Sequence, residues 1–177
     1  MYAIQTFLVA SSHTRIHKSL GTFGAGYAAL VVVFGCTATL LASRREVLAH
    51  SRFVVGFLTV LALELTQMFL FASFVVSGVW LRKRPGYHKR LMLLATLCML
   101  PNPIVRLLTW AGLGSNIVIL SVWALLVVAI VLLDSMRNSR LHPAFGFGAT
   151  ATVALLYLAY FGSLMPIWQR FAANAVG

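Results

Sequence analysis

Nine of the fourteen Lys and Arg residues in this chain fall at every second gap between long apolar stretches: Arg15, Lys18, Arg82, Lys83, Arg84, Lys89, Arg90, Arg137 and Arg140. Cationic loops resist translocation across a bilayer and stay on the cytoplasmic side, so the alternation implies a class, multi-pass membrane protein, and an orientation. With 60% apolar and 10% charged residues and a mean hydropathy of +0.92, the chain lacks the polar side chains with which a water-soluble domain covers itself. A net charge of +11 would suggest nucleic acid in a soluble protein. Here the charges directly flank apolar spans, so anionic lipid headgroups are the expected partner, at about 1 kcal/mol per Lys or Arg near the surface. No nucleic acid is expected.

Residues 2–12 are apolar but too short to cross a hydrocarbon core that demands ~20 residues. Five longer candidates follow, at 19–43, 53–81, 90–112, 114–134 and 145–168. The expected fold is therefore all-α: one integral membrane bundle of five transmembrane helices over residues 1–177, preceded by a short apolar segment. The loops around His17, His88 and His142 fall on one face, and the Arg44 to Arg52 loop on the other. That second face carries only Arg44, Arg45, Arg52 and Arg170, which puts the histidine face in the cytoplasm and the C-terminus in the periplasm. No cleavable signal peptide is visible, because the basic residues follow the opening apolar stretch instead of preceding it.

Pro85 with Gly86, and Gly112 with Gly114, mark tight breaks between consecutive spans. Trp80, Tyr87, Trp110 and Trp168 sit close to span ends, where an amphipathic ring suits the headgroup level. Gly21, Gly24 and Gly26 in the first span, and Gly146 with Gly148 in the last, are expected to thin a helix surface and permit close approach. Cys36 and Cys98 lie at unequal depths in apolar runs, which argues against a disulfide.

Glu64 is the costliest residue to place, since a carboxylate near mid-bilayer costs about 2.5 to 3.5 kcal/mol even on lenient scales. The third span offers Asn102 and Arg106 beside the doubly proline-broken stretch Leu100-Pro101-Asn102-Pro103. At ~1.5 Å per residue, Glu64 is expected roughly 18 Å from the outer end, Asn102 about 15 Å and the Arg106 Cα about 9 Å, a gap a guanidinium stem can close. Two readings are open. One is a buried polar site, with Glu64 as proton carrier or ligand contact and the proline break opening free carbonyls to a small cavity. The other is an ion pair that fixes the packing of two helices, with Thr66 and Gln67 as secondary hydrogen bonders.

His13, His17, His88 and His142 all fall at the basic boundary. His13 and His17 have the i, i+4 spacing that can chelate a transition metal. Asp134 ends the fourth span, where a helix C-terminus repels negative charge; Arg137, Lys89 or a bound cation would compensate it. Haem b would need two imidazoles on facing helices, for which His17 and His88 are candidates. A divalent metal would need three or four ligands, which His17, His88, His142 and Asp134 could supply. Headgroup binding is the third option. No G-x-S-x-G elbow, HExxH or phosphate-cradling glycine loop occurs, and three acids in the chain leave little for hydrolytic chemistry, so no catalytic residue is assigned.

Four strings carry a family resemblance: I-H-K-S-L-G at the first full span, G-Y-H-K-R-L-M-L-L-A-T at the third, the following L-P-x-x-x-x-R with Arg106, and S-R-L-H-P before the fifth. Together they resemble an uncharacterised family of bacterial multi-pass inner-membrane proteins, a domain of unknown function whose members typically carry one more complete span at the N-terminus. The resemblance implies that His17, His88, Arg106 and His142 occupy shared polar positions, and that here the first helix is cut to its final third. His13 does not match the pattern.

The leading expectation is a non-catalytic accessory or scaffold subunit of the bacterial inner membrane, packing against other integral proteins or copies of itself. The alternative is a haem- or metal-binding redox protein using His17, His88 and His142. A small proton-coupled carrier centred on Glu64 is the third.

Overall fold

A computed structural model describes the backbone of residues 14–177 and the side chains from residue 20 onward. The apolar segment 2–12 and His13 lie outside the described residues, as does the side chain of His17. Seven helices follow in order: α1 (Thr14–Leu48), α2 (Val54–Trp80), α3 (Pro85–Cys98), α4 (Pro101–Trp110), α5 (Asn116–Asn138), α6 (Pro143–Ser163) and α7 (Pro166–Val176). No strand occurs among the described residues. Five segments are long and apolar enough to cross a membrane: Leu20–Leu48, Val54–Trp80, Pro85–Trp110, Asn116–Asn138 and Pro143–Ser163. The chain is thus an all-α, multi-pass membrane bundle.

Prolines set most of the helix starts. Pro85, Pro101, Pro143 and Pro166 each open a helix, where the missing N–H would have had no intrahelical partner. α5 stops at Ser139, whose left-handed φ of 54° lets the Arg140 N–H reach back to the Ser135 carbonyl at 3.2 Å.

Several boundaries differ from the sequence expectation: the third span starts at Pro85 and not at 90, the fourth runs to Asn138 and not 134, and the first and last spans end elsewhere. α1 continues past residue 43 through Arg44, Arg45 and Glu46, good helix formers that need no apolar surroundings at a span end. The turn before α2 is correspondingly short, with His50 at φ 45°. The last span ends at Ser163 instead of 168, because Pro166 cannot continue a helix and restarts one. Residues 166–176 fold back as α7 against α1, α2 and α6. Trp168 is therefore drawn inward, its indole donating to the Leu58 carbonyl at 3.0 Å. Trp80 and Trp110 do stand exposed at helix ends.

α2 is the central element, packed against α1, α3, α6 and α7, while α6 also meets α3 and α5. The core lies among α2, α3, α5 and α6, where Trp123, Phe145, Leu94, Leu156 and Val127 are fully enclosed. Gly148 permits the closest approach, since a methyl group there would run into Leu94 and crowd Phe74. Gly146 makes ordinary contact, and Gly21 and Gly26 face nothing within 4 Å among the described residues. Gly35 permits close packing of the first span, for a methyl there would meet the Met68 sulfur at 2.9 Å. Cys36 and Cys98 are both free.

Candidate functional site

Two polar constellations interrupt the apolar bundle. The first is at mid-span. Glu64, near the middle of α2, is half-buried, and Asn102 in the first turn of α4 donates through Nδ2 to its Oε2 at 3.5 Å. The expected ion pair with Arg106 does not form: Arg106 is exposed, and no cation lies within 4.0 Å of Glu64 among the described residues. One turn nearer the helix end, a long guanidinium stem keeps its hydration by extending outward instead of reaching back into the bilayer. The secondary partners also differ from expectation. Thr66 bonds its own helix through the Ala62 carbonyl at 2.8 Å, and the Nε2 of buried Gln67 has no partner among the described residues.

At the proline break one freed carbonyl is taken up by a neighbouring helix. Pro101 has no N–H to offer the Leu97 carbonyl, and the indole N–H of fully buried Trp123 takes that position at 2.8 Å. Sequence reasoning missed Trp123. The available signal was a tryptophan in the middle of a span, away from the interface where its N–H finds water, which obliges it to find an internal acceptor.

The second constellation is at the histidine-bearing end. Arg90, 5% exposed, sets Nε and Nη2 each 2.7 Å from Asp134 Oδ2 and donates from Nη1 to the Gly86 carbonyl at 3.1 Å. Its guanidinium also lies 5.8 Å from the centre of the Phe145 ring. Asp134 at the end of α5 is thus compensated by Arg90, not by the expected Arg137 or Lys89. Arg90 and Gly86 are i, i+4 on α3, so one helix face presents both the cation and the carbonyl that orients it.

His142 is the N-cap of α6, accepting the Ala144 N–H at Nδ1 (3.2 Å) with its ring against the Tyr87 edge at 4.6 Å. Desolvation first, and the positive charge of Arg90 second, push its pKa below the usual histidine value. His88 is 2.7 Å from the Gly78 carbonyl through Nδ1, tying α3 to α2. Of the four expected metal ligands, His88, His142 and Asp134 are therefore drawn into separate bonds. Among the described residues no three of His, Cys, Asp and Glu gather where they could hold a metal ion. The side chain of His17 lies outside the described residues, so the His17–His88 haem pair is not part of this geometry.

A crevice of about 260 Å³ between α2, α6 and α7, lined by Thr66, Ser163, Gly162 and Trp168 among others, presents no titratable side chain.

The fold and these sites define a multi-pass helical membrane protein stabilised by a few buried polar contacts. No protein-family model, curated protein or solved structure matches the chain.

Proposed function

We propose that the protein is a non-catalytic accessory or scaffold subunit of a bacterial inner membrane, packing laterally against other integral proteins. The observation that carries this reading is the surface of α1. Among its described residues α1 buries only Ala28 and Ser43, while Phe23, Tyr27, Phe34 and Leu41 stand 60–80% exposed. A long span held on one side by α2 and α7 offers its remaining faces to a neighbour. The motif resemblance agrees with this reading, since it implies topology and no activity.

In the proposed orientation the end bearing Arg82, Lys83, Arg84, Lys89, Arg137 and Arg140 rests on anionic cytoplasmic headgroups, and α7 lies on the periplasmic side. Photo-crosslinking from residues 23 and 34 in native membranes tests the reading. Discrete protein–protein adducts are expected from both positions. Adducts with lipid alone would overturn it.

A further inference from the structure

The chain has three acidic side chains, and the structure gives each a different electrostatic setting. Asp134 accepts a charge-assisted hydrogen bond from Arg90 Nε and lies 2.7 Å from its Nη2. Glu46 sits in the last turn of α1, next to Arg44 and Arg45 in the chain and at a span end. Glu64 has neither a cation among the described residues nor a span end. Among the described residues its one partner is a neutral amide at 3.5 Å, and it lies near the middle of an apolar span. An ionised carboxylate so placed forfeits its hydration without a compensating charge, whereas a neutral acid keeps one O–H donor and can still accept the Asn102 amide.

A second polar side chain lies on the same helix. Gln67, 2% exposed and one turn further along α2, carries a side-chain N–H₂ with no acceptor among the described residues. That amide brings no positive charge to Glu64, and among the described residues no group of three His, Cys, Asp or Glu gathers there to hold a metal ion.

We infer that Glu64 is a proton-binding carboxylic acid within the bundle, and for that reason the one side chain of this protein open to modification by a membrane-soluble carbodiimide. The inference does not depend on the scaffold reading. The chemistry selects the neutral acid. The Glu64 O–H adds across one C=N bond of N,N′-dicyclohexylcarbodiimide, its proton passing to nitrogen and its oxygen bonding to the central carbon. The resulting O-acylisourea rearranges by oxygen-to-nitrogen acyl transfer to a stable N-acylurea. Nothing is oxidised or reduced, and no group leaves.

The test is treatment of native membranes containing the full chain with this reagent, followed by peptide mass spectrometry. The expected result is an adduct on Glu64 in large excess over any on Glu46 or Asp134. Glu64→Gln should abolish it. Asn102→Ala, which retains the acid, should keep it and serves as the second variant if the first fails to fold. Added sodium chloride should leave labelling unchanged. Equal labelling of the three acids, no adduct on Glu64 in folded protein, or protection by sodium ions would each overturn the inference.

Discussion

The Arg90 guanidinium is enclosed near the start of α3, with two nitrogens on one Asp134 oxygen and the third on the Gly86 carbonyl. Removing one partner of such a pair strands the other charge in a poorly solvated place, at a cost of about 3–5 kcal/mol when both are deeply buried. Asp134 keeps 20% side-chain exposure, so Arg90→Ala should fall near the lower limit, about 3 kcal/mol, and Asp134→Asn should cost less because an acceptor remains. Unfolding in detergent micelles measures both, and the double change Arg90→Met with Asp134→Leu should be milder than Arg90→Ala alone. His142 yields a pH prediction. Its Nδ1 accepts the Ala144 N–H, which requires the neutral ring, and its folded-state pKa is depressed, by desolvation first and by Arg90 second. Stability from this residue is therefore complete above the ordinary value of 6.5 and is lost as pH falls through the lowered one. The groups around it are Arg90, Lys89, Asp134, Arg140 and the Tyr87 ring. His142→Asn keeps a cap that does not titrate, so its melting temperature should fall less than that of the parent between neutral and mildly acidic pH. An equal fall would remove His142 as the cause. Much of this end was legible as need but not as partner. Asp134 at a helix C-terminus called for a cation, yet Lys89, Arg90 and Arg137 lie within a few residues of one another or of Asp134. Only the rotational phase of α3 selects Arg90.

Between elements, the proline break and Trp123 form one unit. Pro101 leaves the Leu97 carbonyl without its i+4 donor, and Trp123 supplies that donor from α5. Trp123→Phe keeps most of the packing and leaves the Leu97 carbonyl with only the Leu100 N–H at 3.2 Å, so it should cost about 0.5–1.5 kcal/mol. Pro101→Ala returns an N–H to the helix at the required place, so the cost of Trp123→Phe should shrink in that background. A double-mutant cycle in unfolding free energy checks this, and additive values would mean that the two residues are not coupled. At Gly148 any side chain enters the space of Leu94 and Phe74 where α6 crosses α2 and α3, so Gly148→Val should cost about 1–3 kcal/mol through overpacking. The hydropathy pattern located all five spans, since twenty-residue apolar runs have few alternatives. The end of the last span was hidden because residues 164–168 remain apolar beyond it, and Pro166 acts by stereochemistry, which hydropathy does not register. The Arg106 partner for Glu64 was misread for a related reason: helical rise gives depth along the axis but not which way a long side chain extends.

Across the whole molecule, the buried Arg90–Asp134 pair alters the charge count on which the orientation rests. Of nine basic residues at the histidine-bearing end, Arg90 is compensated by Asp134, which leaves eight against the four at the other end. Acidic residues weigh little in this rule, and the excess persists whether or not Glu46 is set against Arg44 and Arg45. Three of the eight, Arg82, Lys83 and Arg84, are exposed and consecutive in the turn between α2 and α3, within reach of the span ends that matter for orientation. With Cys36 and Cys98 replaced, single cysteines at positions 83 and 139 should be shielded from a membrane-impermeant maleimide in intact cells, and those at 51 and 113 should be labelled. Because α6 is packed against both α2 and α3, the turns at 83 and 139 cannot be separated across the membrane without losing a buried interface, so the two positions are expected to share a side. Neutralising all three residues to Gln reduces the excess to five against four, close to balance. A mixed population is then expected, with 83 and 139 becoming labelled in the same fraction of molecules. Labelling of one without the other would mean that the charges act on single hairpins and not on the packed bundle.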